Sequence, residues 1–191
     1  MITNRKKVFY LSLGIGLIMV GYALWIPAKA ELAQAFLEIA WKKTIKSGQM
    51  HRPWPWADHY PIAKLKSTRH NIEQIILAGD SGAVMAFAPG ENLEAKNVPD
   101  GSRIISAHRD THFRFLEHTE IGDEISLIDK DGESTYQVIG HQVVDSRDHH
   151  LAPELNPNGL ILVTCFPFNA IQAGGPLRFV VTLKPKVTKN V

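Results

Sequence analysis

The sequence predicts an all-β domain that follows one N-terminal transmembrane helix, and two observations support this prediction. The first is an uncharged apolar run, residues 8–26, which as a helix rising about 1.5 Å per residue matches the hydrocarbon core of a bilayer. The second is a series of short segments rich in β-branched and aliphatic residues, separated by turn residues. We therefore expect an anchor over residues 1–27, a helical stalk and linker over residues 28–60, and a β domain over residues 61–191.

The N-terminal helix is expected to place the β domain outside the cytoplasm. Basic residues at positions 5–7 precede the apolar run, and positive charge stays on the cytoplasmic side of a membrane. We expect a single-pass protein of the inner membrane whose β domain lies in the periplasm. The sequence Ala28-Lys29-Ala30 has the form of a signal-peptidase site, so a secretory signal cleaved after Ala30 is the alternative. The length of the apolar run favours the anchor.

A stalk and a linker are predicted between the apolar run and the β domain. Residues 28–46 are rich in Ala, Leu, Glu and Lys and contain no Gly or Pro, and Gly48 follows them, which predicts a helix with a glycine past its end. Residues 51–61 contain three prolines and form a stiff linker. We expect Trp54 and Trp56 of this linker to bury against the β domain.

Eight segments of the β domain are predicted to be strands. Short strands at this spacing, with only a small helical piece at residues 113–117, favour a closed β-barrel or a sandwich. The turn sequence at residues 129–132 (DKDG) predicts a hairpin between two of the strands. The predicted strands comprise residues 62–65, 72–77, 84–88, 104–107, 124–129, 134–145, 160–164 and 177–183.

Composition and charge exclude several classes of protein. With 45% hydrophobic and 21% charged residues, the chain is neither a disordered tail nor a collagen-like fibre. The net charge is only +2 and three of the positive charges precede the apolar run, so there is no basic domain that would bind nucleic acid. The single cysteine, Cys165, excludes an internal disulfide and a multi-cysteine zinc cluster. We expect no cofactor and no metal.

Three polar residues at the ends of predicted strands supply the parts of a thiol acyltransferase. His108 follows one strand, Cys165 follows another, and Arg178 opens a third. A nearby imidazole or guanidinium lowers the pKa of a cysteine thiol and raises the reactive thiolate fraction, and a guanidinium can also hold a carbonyl or an oxyanion. Each residue alone is more often structural, since cysteine is commonly a core residue. Only the combination of the three indicates catalysis.

The three segments together resemble the sortases, which are membrane-anchored cysteine transpeptidases. Ser106-Ala107-His108-Arg109 matches the histidine at a strand end, residues 162–167 (LVTCFP) match the TLxTC nucleophile segment, and residues 177–181 (LRFVV) match the arginine strand. The compact chain is most similar to class D-type sortases, particularly to the group found in marine proteobacteria. The chain departs from the family at Ala107, where a glycine is usual, and at residues 173–176 (AGGP) between the cysteine and the arginine.

The resemblance implies an eight-stranded sortase-type β-barrel in which the Cys165 thiolate attacks the Thr-Gly bond of an LPxTG-like sorting signal. His108 would protonate the leaving amine and deprotonate the incoming one, while Arg178 would hold the substrate carbonyl or oxyanion. Thr164 would support the site with its hydroxyl or a backbone N–H. The implied partners are a secreted protein with a C-terminal LPxTG-like signal and an amine acceptor at the cell surface.

Two other functions remain open on the sequence. A periplasmic L,D-transpeptidase also places a histidine before a cysteine, but its SxGCxR segment has an arginine where this chain continues with Phe166-Pro167. A non-catalytic, membrane-tethered β-barrel that binds a partner peptide would use Cys165 as a core residue.

Four weaker motifs are interpreted as structural. Ser81 lies in a GDSG sequence but precedes its candidate partner histidine, so we expect a turn. His112 follows His108 by four residues, as in zinc-binding HExxH helices, but an arginine stands where the glutamate is required. Residues 148–150 (DHH) predict a solvated loop, and residues 129–131 (DKD) lack the downstream glutamate of an EF-hand calcium loop.

Overall fold

Eight strands form a closed barrel in the computed structural model, which describes residues 4–148, 151–172 and 174–186. The order around the barrel is β1-β2-β3-β4-β7-β8-β6-β5. Pairs β2–β3 and β4–β7 are parallel and the other neighbours are antiparallel. The all-β prediction is confirmed. The strands are β1 (Pro61–Ser67), β2 (Ile72–Ala78), β3 (Gly90–Glu91), β4 (Arg103–Ser106), β5 (Glu124–Asp129), β6 (Gly132–Asp145), β7 (Leu160–Cys165) and β8 (Leu177–Pro185).

The side chains of each strand alternate between the barrel interior and its outer surface, as the two-residue period of a strand requires. On β7, Leu160 and Leu162 belong to the main core cluster, which fills the barrel. Ile161 and Val163 belong to a second buried cluster together with Ile104 of β4. The outer face of β4 and β7 is therefore apolar, although it lies outside the barrel.

The N-terminal half of the chain is dominated by one helix, α1 (Asn4–Ser47), which continues through Pro27 without a break. Residues 8–26 are largely exposed, and the helix is long and apolar enough there to cross a membrane. Further along, Leu37 and Trp41 pack against β2 and the segment before β3. The predicted stalk is thus the second half of α1, and it packs on the barrel and ends before Gly48, whose φ is +70°.

The linker between α1 and β1 buries only one of its two tryptophans. Trp54 is half-buried and makes edge-to-face contacts with Phe87 and His59, at centroid distances of 5.3 and 5.4 Å. Trp56 is 79% exposed, so its predicted burial is wrong. An extended proline-rich segment without a partner strand directs successive side chains in different directions, which places one tryptophan on the domain and the other in solvent.

The predicted strand at residues 84–88 is also wrong. The chain there forms a one-turn helix, α2 (Gly82–Met85), and the Ser81 hydroxyl accepts a hydrogen bond from the N–H of Val84 at 3.4 Å. The third strand lies a few residues later, at Gly90–Glu91. A Cβ at position 90 would lie 2.1 Å from the carbonyl oxygen of Gly79, so this close pairing of backbones requires glycine. The sequence contains this glycine, but two residues show no strand periodicity.

A buried ion pair joins the short β3 to its neighbour. The Glu91 carboxylate is fully buried and accepts two hydrogen bonds from Arg103 of β4, from Nε at 2.6 Å and from Nη2 at 2.8 Å. Nη1 of Arg103 donates to Asp129 at 2.7 Å, at the start of the β5–β6 hairpin. Asp129 pairs with Gly132 across that hairpin, which confirms the predicted turn. The predicted helical piece is a 3₁₀ helix at Arg114–His118.

Candidate active site

The parallel pairing of β4 and β7 brings His108 level with Cys165. Ser106, the last residue of β4, is the partner of Val163, and the N–H of Ala107 donates to the Val163 carbonyl at 3.1 Å. His108 lies two residues after Ser106, and Cys165 lies two residues after Val163. The two residues are 57 positions apart in the sequence, and only the parallel register between these strands unites them.

The antiparallel pairing of β7 and β8 places Arg178 directly opposite Cys165. Side chains of opposite residues project from the same face of a sheet, with Cβ atoms about 4.5–5.5 Å apart. Cys165 has the same parity on β7 as Ile161 and Val163, so this face is the outer one. The structure therefore brings Cys165 and Arg178 together on the outside of the barrel, while His108 follows the neighbouring strand β4.

A groove of about 540 Å³ lies on this outer face, and its walls also carry the acidic residues Asp80, Glu94 and Glu154. The second buried cluster forms its floor, and Arg178 lies at its wall. We call it the outer groove, and the lining residues that matter here are Ile104, Ser106, Val144, Leu151, Val163 and Arg178. Cys165 is half-buried and His108 is exposed. The thiol is thus partly accessible to solvent, and Arg178, its partner across the strands, lines the groove.

The guanidinium of Arg178, on β8, is held by backbone carbonyls of the residues just before it. Its Nη1 donates to the carbonyl of Gly175 at 2.6 Å and to that of Leu177 at 2.9 Å. These two bonds use only the N–H donors of Nη1. A guanidinium carries five N–H donors, so the bonds leave the donors of Nε and Nη2 for other partners. The residues before β8 therefore set the direction of the group. Ala173, part of the unusual sequence before β8, lies outside the described residues.

Thr164 connects the two strand ends that carry His108 and Cys165. Its side chain is buried, and its hydroxyl donates to the carbonyl of Ala107 at 2.7 Å. Both residues of this bond directly precede the two candidate catalytic residues. Ala107 is itself buried. The Thr164 hydroxyl thus joins the two strands from the side that faces the barrel interior.

Arg109 is a site component that sequence analysis missed. Its side chain is buried, and Nη2 donates to the carbonyls of Ala170 and Gln172, both at 2.9 Å. The residue next to His108 thereby holds the connection between β7 and β8, the same connection that positions Arg178. The sequence shows an arginine next to a candidate catalytic histidine. It does not show that this arginine is buried, which is the property that marks it as part of the site.

His112 lies near His108 on the same loop. Burial lowers the pKa of His112, and the nearby His108 lowers it further. The neutral imidazole is therefore favoured at this position. The backbone carbonyl of His112 accepts a hydrogen bond from Gln74 Nε2 at 2.8 Å, which fixes the loop to β2.

The weaker motifs have structural roles where the structure describes them. Ser81 caps α2, in agreement with the expected turn. Asp129 pairs with Arg103, and Asp131 pairs with Lys130 at 2.7 Å. His149 and His150 lie outside the described residues.

Comparison with known protein families gives a consistent assignment. Residues 65–186 match the model of the Sortase domain. Over 97 residues the chain is 34% identical to Sortase D of Bacillus subtilis (strain 168), an alignment that covers 50% of this chain and 44% of that protein. The chain thus matches less than half of this relative's length. The alignment supports the class D resemblance and favours it over the L,D-transpeptidase alternative, while the marine proteobacterial subgroup stays a prediction.

Solved structures share the fold at low sequence identity. Sortase A from Corynebacterium diphtheriae, lid mutant, superposes with a TM-score of 0.61 at 20% identity, over 86% of this chain and 97% of that one. A Clostridium perfringens Sortase D5 transpeptidase superposes with a TM-score of 0.60 at 18% identity, over 82% and 99% of the two chains. The eight-stranded barrel is therefore of the type found in these proteins.

Proposed function

Since this chain belongs to the sortase family of cysteine transpeptidases, we propose that it cleaves an LPxTG-like sorting signal and transfers the released protein to an amine at the cell surface. The observation that carries the proposal is the register of three strands. Cys165 on β7 is paired with Arg178 on β8, and His108 follows β4, the parallel neighbour of β7, by two residues, which supports a shared catalytic role for the three.

The first half of the proposed reaction forms a thioester. The Cys165 thiolate attacks the carbonyl carbon of the scissile Thr-Gly bond, and Arg178 holds the oxygen on which negative charge develops. When the carbon–nitrogen bond breaks, His108 gives a proton to the leaving amine. The peptide on the amine side departs, and the acyl group remains on Sγ.

The second half transfers the acyl group to an amine. The amine attacks the thioester carbon and loses a proton to His108, and the Cys165 thiolate departs as the new amide bond forms. Water can replace the amine, which gives hydrolysis instead of transfer. Thr164 supports both halves as a positioning residue, because its bond to Ala107 fixes the strand ends relative to each other.

The outer groove is the proposed binding site for the residues that precede the scissile bond. Its apolar floor fits the aliphatic residues of an LPxTG-like signal, and Arg178 stands where the scissile carbonyl arrives. An extended peptide lying on β4 and β7 would thus present its carbonyl to Cys165.

The proposed anchor is the first half of α1, with the barrel in the periplasm. Residues 8–26 are apolar and exposed, and basic residues 5–7 precede them. We expect a topology reporter fused after Val191 to show that the C-terminus lies outside the cytoplasm. We also expect the protein in the membrane fraction to retain residues 1–27. A mature protein that begins at Glu31 would instead establish cleavage after Ala30.

The catalytic proposal is tested by trapping the thioester. Incubation with an LPxTG-like peptide should add the mass of the acyl portion to the wild-type chain, on Cys165, and addition of an amine should discharge it. The variant Cys165→Ala should show no added mass. A half-exposed thiol that gives no adduct with any such peptide would support the non-catalytic peptide-binding barrel.

A further inference from the structure

His108 lines a second cavity that is separate from the outer groove. This cavity has a volume of about 560 Å³, and we call it the helix-side cavity. Its walls come from α1 at residues 29–34, from α2 and the residues after it at positions 85–87, and from the loop at residues 108–112. The outer groove is lined instead by Val163 and Arg178. His108 thus lines one cavity, and Arg178 lines the other.

The chemistry of acyl transfer assigns different parts of a substrate to the two cavities. The acyl part must lie where Arg178 can hold its carbonyl oxygen, and the amine part must lie where His108 can exchange a proton with its nitrogen. We propose that the helix-side cavity binds the peptide segment on the amine side of the scissile bond. An acceptor amine takes the place that the leaving amine vacates, so the same cavity receives both. This inference rests on the proposed function and extends it to the N-terminal helix.

The lining of the helix-side cavity fits an extended peptide. Ala30 and Ala33 of α1 and Ala86 beyond α2 are small, which lets a peptide backbone approach closely. Met85 and Phe87 supply an apolar wall, while the loop beside His108 supplies polar groups.

A hydrogen bond fixes the width of the helix-side cavity. Nε2 of Gln34 on α1 donates to the carbonyl of Phe87 at 2.7 Å. The helix and the segment after α2 are therefore held together at the wall of the cavity. Gln34 acts as a positioning residue, and α1 contributes to the site besides connecting it to the apolar run.

The position of the cavity along α1 also fits its proposed occupant. Its first lining residue, Lys29, is three residues past the end of the apolar run at Ile26, about 4.5 Å along a helix. The cavity is thus at the membrane end of the domain. A leaving segment that continues into a membrane-held apolar stretch, or an amine carried at the cell surface, reaches His108 from this side.

The inference is tested with two acceptors of different length. The acyl-enzyme is formed from a peptide thioester that ends in the acyl part of the sorting motif, so that Cys165 displaces a small thiol and the first step does not require the helix-side cavity. Glycinamide and a five-residue peptide amide with an N-terminal glycine then compete with water for the thioester. The variant Ala30→Trp fills the cavity from an exposed helix position, and Ala35→Trp is its matched control, exposed on α1 but outside the cavity lining.

We expect the wild type and Ala35→Trp to transfer to the longer acceptor about tenfold faster than to glycinamide, and Ala30→Trp to lose this preference while its glycinamide rate stays within about twofold. Equal rates for the two acceptors in the wild type, or an unchanged preference in Ala30→Trp, would overturn the inference. If the wild-type chain forms no thioester at Cys165, the proposed function itself fails. Thermal melting of both variants verifies that they fold.

Discussion

The two sides of the candidate active site are supported in different ways. Cys165 ends β7, and His108 follows the end of β4 by two residues. The two strands are joined there by a backbone hydrogen bond between Ala107 and Val163 and by the buried Thr164 hydroxyl. The guanidinium of Arg178 donates to the carbonyl of Gly175, in the loop before β8, and to that of Leu177, the first residue of β8. One side is thus fixed by strands of the barrel and the other by a connecting loop.

This difference indicates which parts of the site tolerate change. A group held by buried strands keeps its place when surface residues vary, because displacing it would break hydrogen bonds in the core. A group held by loop carbonyls follows the conformation of that loop. Arg109 links the two sides, since it follows His108 and donates to the β7–β8 connection. We expect the strand side, with Cys165 and His108, to carry out bond breaking and proton transfer. We expect the loop side, with Arg178, to determine how the substrate carbonyl is bound.

The largest effect is expected on the strand side. Cys165→Ala should abolish cleavage and transfer while the melting temperature changes little, because the thiol is half-exposed at a strand end. His108→Ala should lower the rate of acyl transfer by about 10² to 10⁴, as removal of a positioned acid–base group does. Steady-state kinetics with a peptide substrate measure both effects. Near-normal turnover of His108→Ala would contradict its role in proton transfer.

The next effect concerns the loop side and separates charge from geometry. Arg178→Lys keeps the positive charge but loses the planar donor group, so acyl-enzyme formation should fall by about 10² or more, as for loss of an oxyanion donor. Alkylation of Cys165 by a small neutral reagent should keep nearly its original pH profile. A profile that moves by about one pH unit, with acylation reduced only in proportion to the lost thiolate, would make Arg178 a charge that sets the thiol pKa.

A smaller effect is expected when the connection between the two strand ends is removed. Thr164→Val leaves the buried Ala107 carbonyl without its hydroxyl donor, which should cost about 1–3 kcal/mol of unfolding free energy. We also expect kcat to fall by about tenfold with little change in KM, since a misplaced pair of reacting groups slows the chemical step.

The same substitution at Thr135 is a matched control for Thr164→Val. The Thr135 hydroxyl bonds to Ser126 on the neighbouring β5, and Thr135 does not line the outer groove. If Thr135→Val lowered kcat as much as Thr164→Val, the effect would be one of general stability. Denaturant unfolding and steady-state kinetics on both variants distinguish the two cases.

The smallest effect concerns the linker, whose Trp54 and His59 contact Phe87 at the wall of the helix-side cavity. Burial lowers the pKa of His59, only partly opposed by Asp58, so the folded protein favours the neutral imidazole. Stability from this residue is therefore present above the unfolded pKa of about 6.5 and is lost as the pH falls below it. The variant His59→Phe keeps the aromatic contacts with Trp54 and Phe87. Its melting temperature should fall less than that of the wild type between pH 7.5 and 5. An unchanged pH dependence would show that His59 does not contribute, and His112 is expected to add a dependence of the same sign.

Much of this protein was determined by local sequence patterns. The apolar run predicted the first half of α1, and short segments rich in β-branched and aliphatic residues, bounded by turn residues, predicted seven of the eight strands, because both signals come from neighbouring residues. The resemblance of three short segments to one family identified His108, Cys165 and Arg178 as candidates, and the hairpin at residues 129–132 followed from its turn residues.

Tertiary structure alone decided how these parts meet. The two-residue β3 exists because Gly90 lets two backbones approach, and the residues expected to form that strand are drawn into a helical turn by the Ser81 cap. Tertiary contacts also decide the direction of the Arg178 guanidinium, the hydrogen bonds from Arg109 to the β7–β8 connection, and the placement of α1 beside His108. Each of these depends on contacts between residues far apart in the chain, and such contacts are set by packing and register, which no local pattern encodes.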